Sequence, residues 1–133
     1  MIEIKIGIEI HKQLSYKKLF CSCDLANLKS KNHVKKSIYN NGLEKTYDYK
    51  TNLCGYEIGE YFPVLSNKEA LRYCLDFAKI AQCEEIEKEL VFKRKYIYDG
   101  SLPKGYQLTA KIGCAGEIQM KSFKFNIREI ALE

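Results

Sequence analysis

The sequence contains no long hydrophobic run, and this absence excludes one large class of proteins. No apolar stretch in its 133 residues approaches the roughly 20 residues that a transmembrane helix needs. Internal repeats and low-complexity tracts are also absent. A hydrophobic content of 46% with 29% charged residues is typical of a globular protein rather than a disordered one. The chain therefore fits one small globular domain without a membrane span.

The N-terminus lacks the features of a signal peptide, because a regular strand pattern starts almost at the first residue. We therefore expect a cytoplasmic protein, whose cysteines are reduced thiols or metal ligands rather than disulfides. The six cysteines are Cys21, Cys23, Cys54, Cys74, Cys83 and Cys114. The net charge of +5 mildly favours a polyanionic partner but does not by itself indicate nucleic acid.

The sequence does contain a strict alternation at its start. The apolar positions are Ile2, Ile4, Ile6, Ile8 and Ile10. This period of two predicts a strand with one buried face. Glu9 and His11 should project side by side from the other face, where Gly7 leaves room for close approach to the backbone. A carboxylate beside an imidazole could bind a metal ion or act as acid and base, and the alternative is a solvated strand face.

The rest of the pattern predicts an α+β fold, a mostly antiparallel sheet with one long helix. A capping box at Ser66–Glu69 precedes apolar residues at helical spacing, which predicts a helix over about residues 67–82. Those apolar residues are Leu71, Cys74, Leu75, Ala78 and Ala81. The predicted strands cover residues 18–23, 37–39, 45–49, 89–98, 106–112, 117–121 and 123–133. We expect turns at Asn40–Gly42 and Gly113–Gly116 and a bulge near Arg128–Glu129.

The last residue, Glu133, lies inside an apparent strand, without a polar tail or a cap. Complete proteins usually cover such a sheet edge. We therefore expect residues 1–133 to form a single incomplete domain, half of a larger one, with the missing strands supplied by a partner chain. The alternative is an ordinary edge strand that its lysines keep soluble.

Short motifs form a series along nearly the whole chain. The segments are Lys5–Leu14, Lys18–Cys23, Pro63–Leu71, Phe92–Tyr98, Pro103–Gln107 and Ile127–Glu133. In order and spacing they resemble the GatB/GatE family, the large subunits of the tRNA-dependent amidotransferases. The resemblance implies that the chain is the N-terminal portion of the family's cradle-shaped catalytic domain.

The subtype that the resemblance implies is the archaeal GatE type rather than the GatB type. Lys18–Cys21, the single Cys54 and Asp99–Ser101 look like GatE. Pro103–Gln107 looks more like GatB. We therefore expect a GatE-like chain.

The activity that the resemblance implies is a ligation. Such subunits phosphorylate the tRNA-bound glutamate with ATP and then amidate it with ammonia, which converts glutamyl-tRNA(Gln) into glutaminyl-tRNA(Gln). The resemblance implies that Glu9, His11 and Glu133 surround Mg²⁺, and a mixed Glu/His set could also accept Mn²⁺. Phosphoryl transfer depends mostly on positioning and on neutralisation of charge, which is why such a site would suit it.

Three further residues match positions that border the family's pocket. The residues expected to contact ATP or the tRNA end are Lys95, Tyr106 and Gln107. The expected catalytic residues are Glu9, His11 and Lys95. All of these roles are implied by the resemblance and are predictions about this chain.

The resemblance also implies partners. Because family members are several times longer, we expect the C-terminal remainder of the same subunit as a separate chain, without which this piece is inactive. An artificial or degraded gene fragment is the alternative. The other expected partners are an ammonia-producing subunit, GatD-like or GatA-like, and tRNA(Gln) carrying glutamate. No membrane partner is expected.

The cysteines raise the question of zinc. Some GatB chains carry Cys-x-Cys followed by Cys-x-x-Cys, but here Cys21 and Cys23 are followed only by Cys54. Structural zinc takes four ligands, and the remaining candidate, His33, lies in an irregular region. We therefore expect three neighbouring thiols without zinc, and a zinc site at these cysteines is the alternative.

A second class of function needs no catalysis. The chain could be a scaffold or an RNA-binding fragment derived from such a subunit. Lys93–Lys95 and the lysines between Lys29 and Lys36 would then contact phosphates. Runs of lysine and arginine are more often ordinary solvent-exposed surface than binding sites.

Overall fold

The computed structural model describes residue 4 and residues 6–15, 17–23, 33–40, 42–50, 53–65 and 67–133. Within these ranges the chain forms six strands and two helices. In chain order they are β1 His33–Asn40, β2 Leu43–Lys50, α1 Gly55–Ile58, α2 Lys68–Ile80, β3 Glu85–Ile86, β4 Lys93–Tyr96, β5 Tyr106–Gln119 and β6 Lys124–Leu132. Neither of the described helices is long and apolar enough to cross a membrane.

Strand β5 is the centre of the main sheet. It pairs antiparallel with β6 along most of its length, with β4 near its start and with β3 near its middle. A strand of 14 residues can hold three partners because each covers a different stretch or a different edge of it. The predicted α+β fold with a mostly antiparallel sheet is therefore confirmed.

Strand β5 continues through Gly113–Gly116, where the sequence pattern predicts a turn. These glycines serve close packing instead. A Cβ atom on Gly116 would lie 2.9 Å from the carbonyl oxygen of Ala81, and one on Gly113 would lie 3.3 Å from the Cβ atom of Ala78. The missing side chains therefore allow helix α2 and the residues after it to approach the sheet.

The predicted bulge lies on the other strand of its pair. The pairing of β5 with β6 shifts register between Lys111 and Gly113 of β5, not at Arg128–Glu129 of β6. A change of apolar phase along one strand indicates an irregularity in the pair. Which of the two strands carries the extra residue depends on how their hydrogen bonds pair, and the apolar pattern of one strand does not show this.

Strands β1 and β2 form an antiparallel hairpin. Its register runs from His33 opposite Lys50 to Asn40 opposite Leu43. Gly42 lies in the short connection with a φ of +77°, a conformation that glycine adopts without steric cost. The predicted turn at Asn40–Gly42 is confirmed, and both strands are longer than predicted.

Helix α2 lies where the sequence predicts it. Its N-cap is Asn67, whose side-chain oxygen accepts a hydrogen bond from the Ala70 N–H at 3.0 Å. The predicted cap, Ser66, lies outside the described residues. The buried core of α2, β5 and β6 consists of Ala70, Ala78, Ala81, Ile112, Ile130 and Leu132. The residues of the predicted helix face that pack against it are Leu71, Cys74 and Leu75.

The N-terminal segment departs most from the prediction. Residues 6–14 form no strand, and the four described isoleucines of the segment are 79–87% exposed. These are Ile4, Ile6, Ile8 and Ile10. A strand needs a hydrogen-bonding partner, and none of the strands in the described ranges pairs with this segment. The predicted buried face is therefore wrong for this chain by itself.

Two other predicted strands also differ. Residues 18–23 form a bend, which a hydrogen bond from Lys18 N–H to the Cys23 carbonyl closes at 3.0 Å. The strand predicted over residues 89–98 shortens to β4, because β5 pairs with only four of its residues. The tyrosines at its end, Tyr96 and Tyr98, are exposed.

Candidate active site

Three parts of the chain meet in one cleft at the start of β5. They are the segment around His11, strand β4 and the residue after β6. The side chains that line the cleft are Glu9, His11, Lys93, Arg94, Lys95, Gln107, Thr109 and Glu133. The cleft therefore combines two carboxylates, an imidazole, three cations and two neutral polar groups.

The register of the sheet brings the cations and the neutral groups together. Lys93 of β4 lies opposite Thr109 of β5, and Lys95 lies opposite Gln107. Residues two apart on a strand share a face, so all four side chains belong to the same face of the sheet. Pairing of β6 with β5 brings Glu133 beside Thr109, whose hydroxyl donates to its Oε2 at 3.4 Å.

His11 connects the two carboxylates of the cleft. Its Nδ1 lies 2.8 Å from Oε1 of Glu133, and its Nε2 lies 3.0 Å from Oε1 of Glu9. Glu9 and His11 therefore contact each other, as the alternation predicts, although their segment forms no strand. Glu133, at the opposite end of the described chain, joins them only in the folded structure.

The two contacts of His11 limit what this arrangement can bind. An imidazole donates through both nitrogens only when it carries two protons. The ring also lies between the carboxylates, so the three side chains do not converge on one point. Their donor types suit Mg²⁺ or Mn²⁺, since both ions accept carboxylate oxygens and Mn²⁺ also accepts imidazole. The donor chemistry thus fits the predicted ion, while in the structure the imidazole contacts one carboxylate through each of its nitrogens.

The predicted ATP- or tRNA-binding residues divide between two faces of the sheet. Lys95 and Gln107 line the cleft with the carboxylates. Tyr106 is not among the lining residues and instead packs with a buried cluster that contains Tyr56. Neighbouring residues on a strand point to opposite faces, so the side chains of Tyr106 and Gln107 leave the sheet in opposite directions.

Two residues of the cleft were not predicted as site residues. Thr109 was not named at all, and Lys93 was named only as part of the basic run Lys93–Lys95. The available signal was the alternation on the two paired strands. Lys93 and Lys95 alternate on one strand, as do Gln107 and Thr109 on the other. An antiparallel pairing of these segments would have predicted all four as one polar face.

A second cluster of reactive groups lies away from the cleft. The Sγ atoms of Cys21, Cys23 and Cys54 all lie within 4.8 Å of one another, and each residue is half-buried. Among the residues that the structure describes, these form the one group of three potential metal ligands whose donor atoms converge. Burial raises the pKa of Cys21 to about 12 and also raises the pKa of Cys23. Both thiols therefore hold their protons at neutral pH.

The carboxylate nearest in sequence to Cys54 has a different partner. Glu57, three residues further on, accepts hydrogen bonds from Nζ of Lys18 at 2.7 and 2.8 Å. It also accepts one from the Cys54 N–H at 3.1 Å, which supports the first turn of α1. The side chain of His33 lies outside the described part of the structure. The cluster thus supplies three thiols, and Glu57 forms an ion pair instead.

Comparison with known proteins identifies the class. A model of the GatB/GatE catalytic domain matches residues 4–133. Because this match covers nearly the whole chain, the chain belongs to the GatB/GatE family. The cleft and the cysteine cluster therefore lie within a recognised catalytic domain.

The relatives define the branch of the family. The chain is 31% identical to the E subunit of the glutamyl-tRNA(Gln) amidotransferase of Thermoplasma volcanium, over 98% of this chain and 25% of the relative. It is also 31% identical to the E subunit of the Sulfolobus acidocaldarius enzyme, over 98% of this chain and 23% of the relative. These matches support the GatE-like subtype that the motifs predict. The chain spans about a quarter of the length of the relatives that it matches.

Proposed function

We propose that this chain is the N-terminal part of the catalytic domain of a GatE-type glutamyl-tRNA(Gln) amidotransferase subunit. The observation that carries the proposal is the contact of His11 with both Glu9 and Glu133 in a cleft that Lys95 also lines. Family membership supports the reaction class, an ATP-dependent amidation of tRNA-bound glutamate. Such chemistry belongs to translation, and we therefore assign the protein to the cytoplasm.

The proposed reaction has two steps that balance in atoms and charge. An oxygen of the glutamyl γ-carboxylate attacks the γ-phosphorus of ATP, and ADP leaves. Ammonia then attacks the carbonyl carbon of the resulting acyl phosphate, the bond from that carbon to the phosphate oxygen breaks, and a proton lost by the ammonia leaves with the phosphate as HPO₄²⁻, which gives the amide. In the first step a negatively charged carboxylate must approach the negatively charged phosphates of ATP. The site therefore needs cations in fixed positions to neutralise this charge.

The side chains of the cleft have the charges that these steps need. Lys93 and Lys95 project from one strand and would bind the phosphate oxygens of ATP. Gln107 and Thr109 face them across the strand pair and would orient the substrate by neutral hydrogen bonds. Of the two lysines, we assign to Lys95 the binding of the phosphoryl group that ATP transfers.

The predicted metal is part of the same proposal. Glu9, His11 and Glu133 are the residues that would hold Mg²⁺, with Mn²⁺ as an alternative ion. A bound Mg²⁺ would neutralise phosphate charge. In the structure, His11 lies between the two carboxylates and contacts both. Binding of Mg²⁺ by the isolated chain, measured by calorimetry, should weaken in Glu9→Gln, and it should not weaken in Glu60→Gln.

We do not assign zinc to the cysteine cluster. Zinc in structural sites binds cysteine thiolates and histidine nitrogens. A tetrahedral structural site also takes four ligands, and the described group contains three. Elemental analysis of chain purified without a histidine tag should find well below one zinc per chain, and a full equivalent would refute this assignment.

The site requires the rest of the subunit and a source of ammonia. The relatives are about four times as long as this chain, and the isoleucines of the N-terminal segment are exposed. We propose that the C-terminal remainder of the subunit covers these isoleucines and completes the site. An amidase- or asparaginase-like subunit, GatD-like or GatA-like, would supply the ammonia, and glutamate on tRNA(Gln) would be the substrate.

The decisive experiment measures glutaminyl-tRNA(Gln) formed from glutamyl-tRNA(Gln) with ATP, Mg²⁺ and ammonium. The chain is tested alone and together with the complementary C-terminal part of the Thermoplasma volcanium protein. We expect product only in the mixture. Glu9→Gln and His11→Ala should lower its rate at least 100-fold, whereas Glu60→Gln, an exposed carboxylate outside the cleft, should not.

The competing function is a scaffold or an RNA-binding fragment without catalysis. The exposure of all four residues of β4, three of which are Lys93, Arg94 and Lys95, favours contact with phosphates. A scaffold would retain full activity in the reconstituted enzyme after Glu9→Gln and His11→Ala. Activity at the unsubstituted level in both variants would therefore overturn the catalytic proposal.

A further inference from the structure

The three clustered cysteines come from two segments that are distant in the sequence. Cys21 and Cys23 belong to the bend of residues 18–23, and Cys54 directly precedes α1. Their Sγ atoms all lie within 4.8 Å of one another. No step of the proposed reaction uses them. The fold therefore brings three reactive groups together away from the cleft.

Each thiol of the cluster contacts the other two. The Cys21 thiol forms hydrogen bonds with the thiols of Cys54 and Cys23, and the latter two are also hydrogen-bonded to each other. A disulfide bond holds its sulfur atoms about 2 Å apart, so any two of these atoms would have to approach by at most about 3 Å. Rotation of a cysteine side chain about its Cα–Cβ bond covers such a distance.

The two segments are held in place by contacts other than those of the cysteines. Phe20 lies in the bend and packs against Tyr56 of α1, with ring centroids 5.6 Å apart. Nζ of Lys18 donates to both carboxylate oxygens of Glu57, at 2.7 and 2.8 Å. Groups held near one another in this way react as if they were highly concentrated. The folded chain therefore favours a bond between the bend and α1.

The environment of the cluster determines how it would react. Burial raises the pKa of Cys21 and of Cys23, so both thiols hold their protons at neutral pH and react slowly there. In the cytoplasm, to which we assign the protein, the disulfides that do form are usually transient or redox-sensing rather than permanent. A bond at this cluster would therefore be a reversible modification.

The bond with the largest structural consequence includes Cys54. A bond from Cys54 to either cysteine of the bend closes a loop of about 30 residues, which restricts the unfolded chain much more than a bond between Cys21 and Cys23 would. Such a bond also links two segments that contribute to the same buried group, Phe20, Tyr56 and Leu108. It should therefore stabilise this second core of the domain.

We propose that Cys54 forms a reversible disulfide bond with Cys21 or Cys23 when the chain meets a low-molecular-weight disulfide such as oxidised glutathione. A thiolate of the cluster attacks one sulfur of glutathione disulfide and releases the first glutathione. A second thiol of the cluster loses its proton and attacks the protein sulfur of this mixed disulfide, which releases the second glutathione. Two protein thiols are thereby oxidised, glutathione disulfide is reduced to two thiols, and the third cysteine keeps its thiol.

The test incubates the reduced chain overnight with oxidised glutathione at about pH 8, where more of each thiol is ionised. Titration of thiols in denaturant should fall from six per chain to four. Mass spectrometry of the digested chain should find Cys54 linked to Cys21 or Cys23. The melting temperature should rise by roughly 10 °C and return to its original value after treatment with dithiothreitol.

Two variants show whether the rise in melting temperature comes from this bond. Cys54→Ser removes the shared partner and should abolish the rise, while serine, a good N-cap, keeps the start of α1. Cys114→Ser removes a thiol that donates to Glu85 at 3.2 Å instead, and it should keep the full rise. A rise that persists in Cys54→Ser would overturn the proposal.

The peptide map distinguishes the other outcomes. Six thiols after the incubation, a stable glutathione adduct without a cross-link, or a bond confined to Cys21 and Cys23 would each contradict the proposal. One zinc per chain that prevents the oxidation would make the cluster a metal site and would also refute it. The result does not depend on amidation, so the proposed function and this modification stand or fall separately.

Discussion

The N-terminal segment and strand β6 have the same kind of sequence and opposite structures. Both alternate apolar and polar residues, yet β6 is a strand and residues 6–14 are not. Ile130 of β6 is buried, while Ile8 is 83% exposed. The difference lies in the partner, because β5 pairs with β6 and no described strand pairs with the segment. Alternation therefore gives a strand only where the chain provides a neighbour.

The largest expected effect comes from substituting an isoleucine in each region. Ile130→Ala in β6 removes a side chain that is only 8% exposed, and it should lower the free energy of unfolding by about 2–5 kcal/mol. Ile8→Ala should change it by less than about 0.5 kcal/mol, because its side chain already contacts water. Urea denaturation of both variants measures the contrast. Equal losses would mean that the N-terminal segment is packed in this chain.

The isoleucines of the N-terminal segment, whose substitution should matter little in this chain alone, should become important when the proposed C-terminal partner is present. Burial of an isoleucine contributes about 1.5–3 kcal/mol, so Ile6→Asp with Ile8→Asp should abolish co-purification with the complementary C-terminal part. Gln13→Asp introduces one aspartate at an exposed position of the same segment without removing an isoleucine, and it should co-purify normally. Normal assembly of the double variant would show that the isoleucines are not the interface.

Asn67 connects helix α2 to Lys17, just after the N-terminal segment, and its substitution should have a smaller effect. Its side-chain oxygen caps α2, and its Nδ2 donates to the Lys17 carbonyl at 2.6 Å. Asn67→Ala removes both hydrogen bonds and should lower the free energy of unfolding by about 1–2 kcal/mol. Asn67→Asp keeps the capping acceptor and loses the donor, so its loss should be smaller. Thermal melting of both variants would separate the two contacts, and an unchanged alanine variant would contradict them.

The smallest expected effect concerns pH. Burial raises the pKa of Cys21 from an ordinary 9.0 to about 12, so between these values the folded state keeps a proton that the unfolded state releases. The free energy of unfolding should therefore fall as pH rises above about 9. Cys21→Ser removes this titration and should flatten the decline, while Ser22→Ala, at the exposed neighbouring residue, should not. Parallel declines in both variants would exclude Cys21 as the cause.

Much of the fold follows from local sequence. The helical spacing from Leu71 to Ala78 predicts α2 within about two residues, because a helix satisfies its own backbone hydrogen bonds. The hairpin turn follows from a glycine that adopts positive φ. By contrast, the predicted turn at Gly113–Gly116 is wrong, because those glycines accommodate a neighbouring segment rather than a reversal of the chain.

The candidate site was predicted in part. Glu9 and His11 contact each other as their spacing predicts, and the resemblance added Glu133. Tyr106 and Gln107 are adjacent on β5 and face opposite ways, and their expected contacts with ATP or the tRNA end stay predictions. The alternation rule, applied to the sequence alone, separates these two residues. The roles of all these residues stay predictions.

By itself the sequence determined the elements that depend on near neighbours, which are helix α2, the hairpin turn and the contact of Glu9 with His11. The tertiary structure decided which strands find partners and which distant groups meet. Glu133 reaches His11, and Cys54 reaches Cys21 and Cys23, only because the sheet and its connections fold back on themselves. Periodicity specifies the direction of a side chain relative to its own backbone. What lies on that side depends on contacts between residues far apart in the chain.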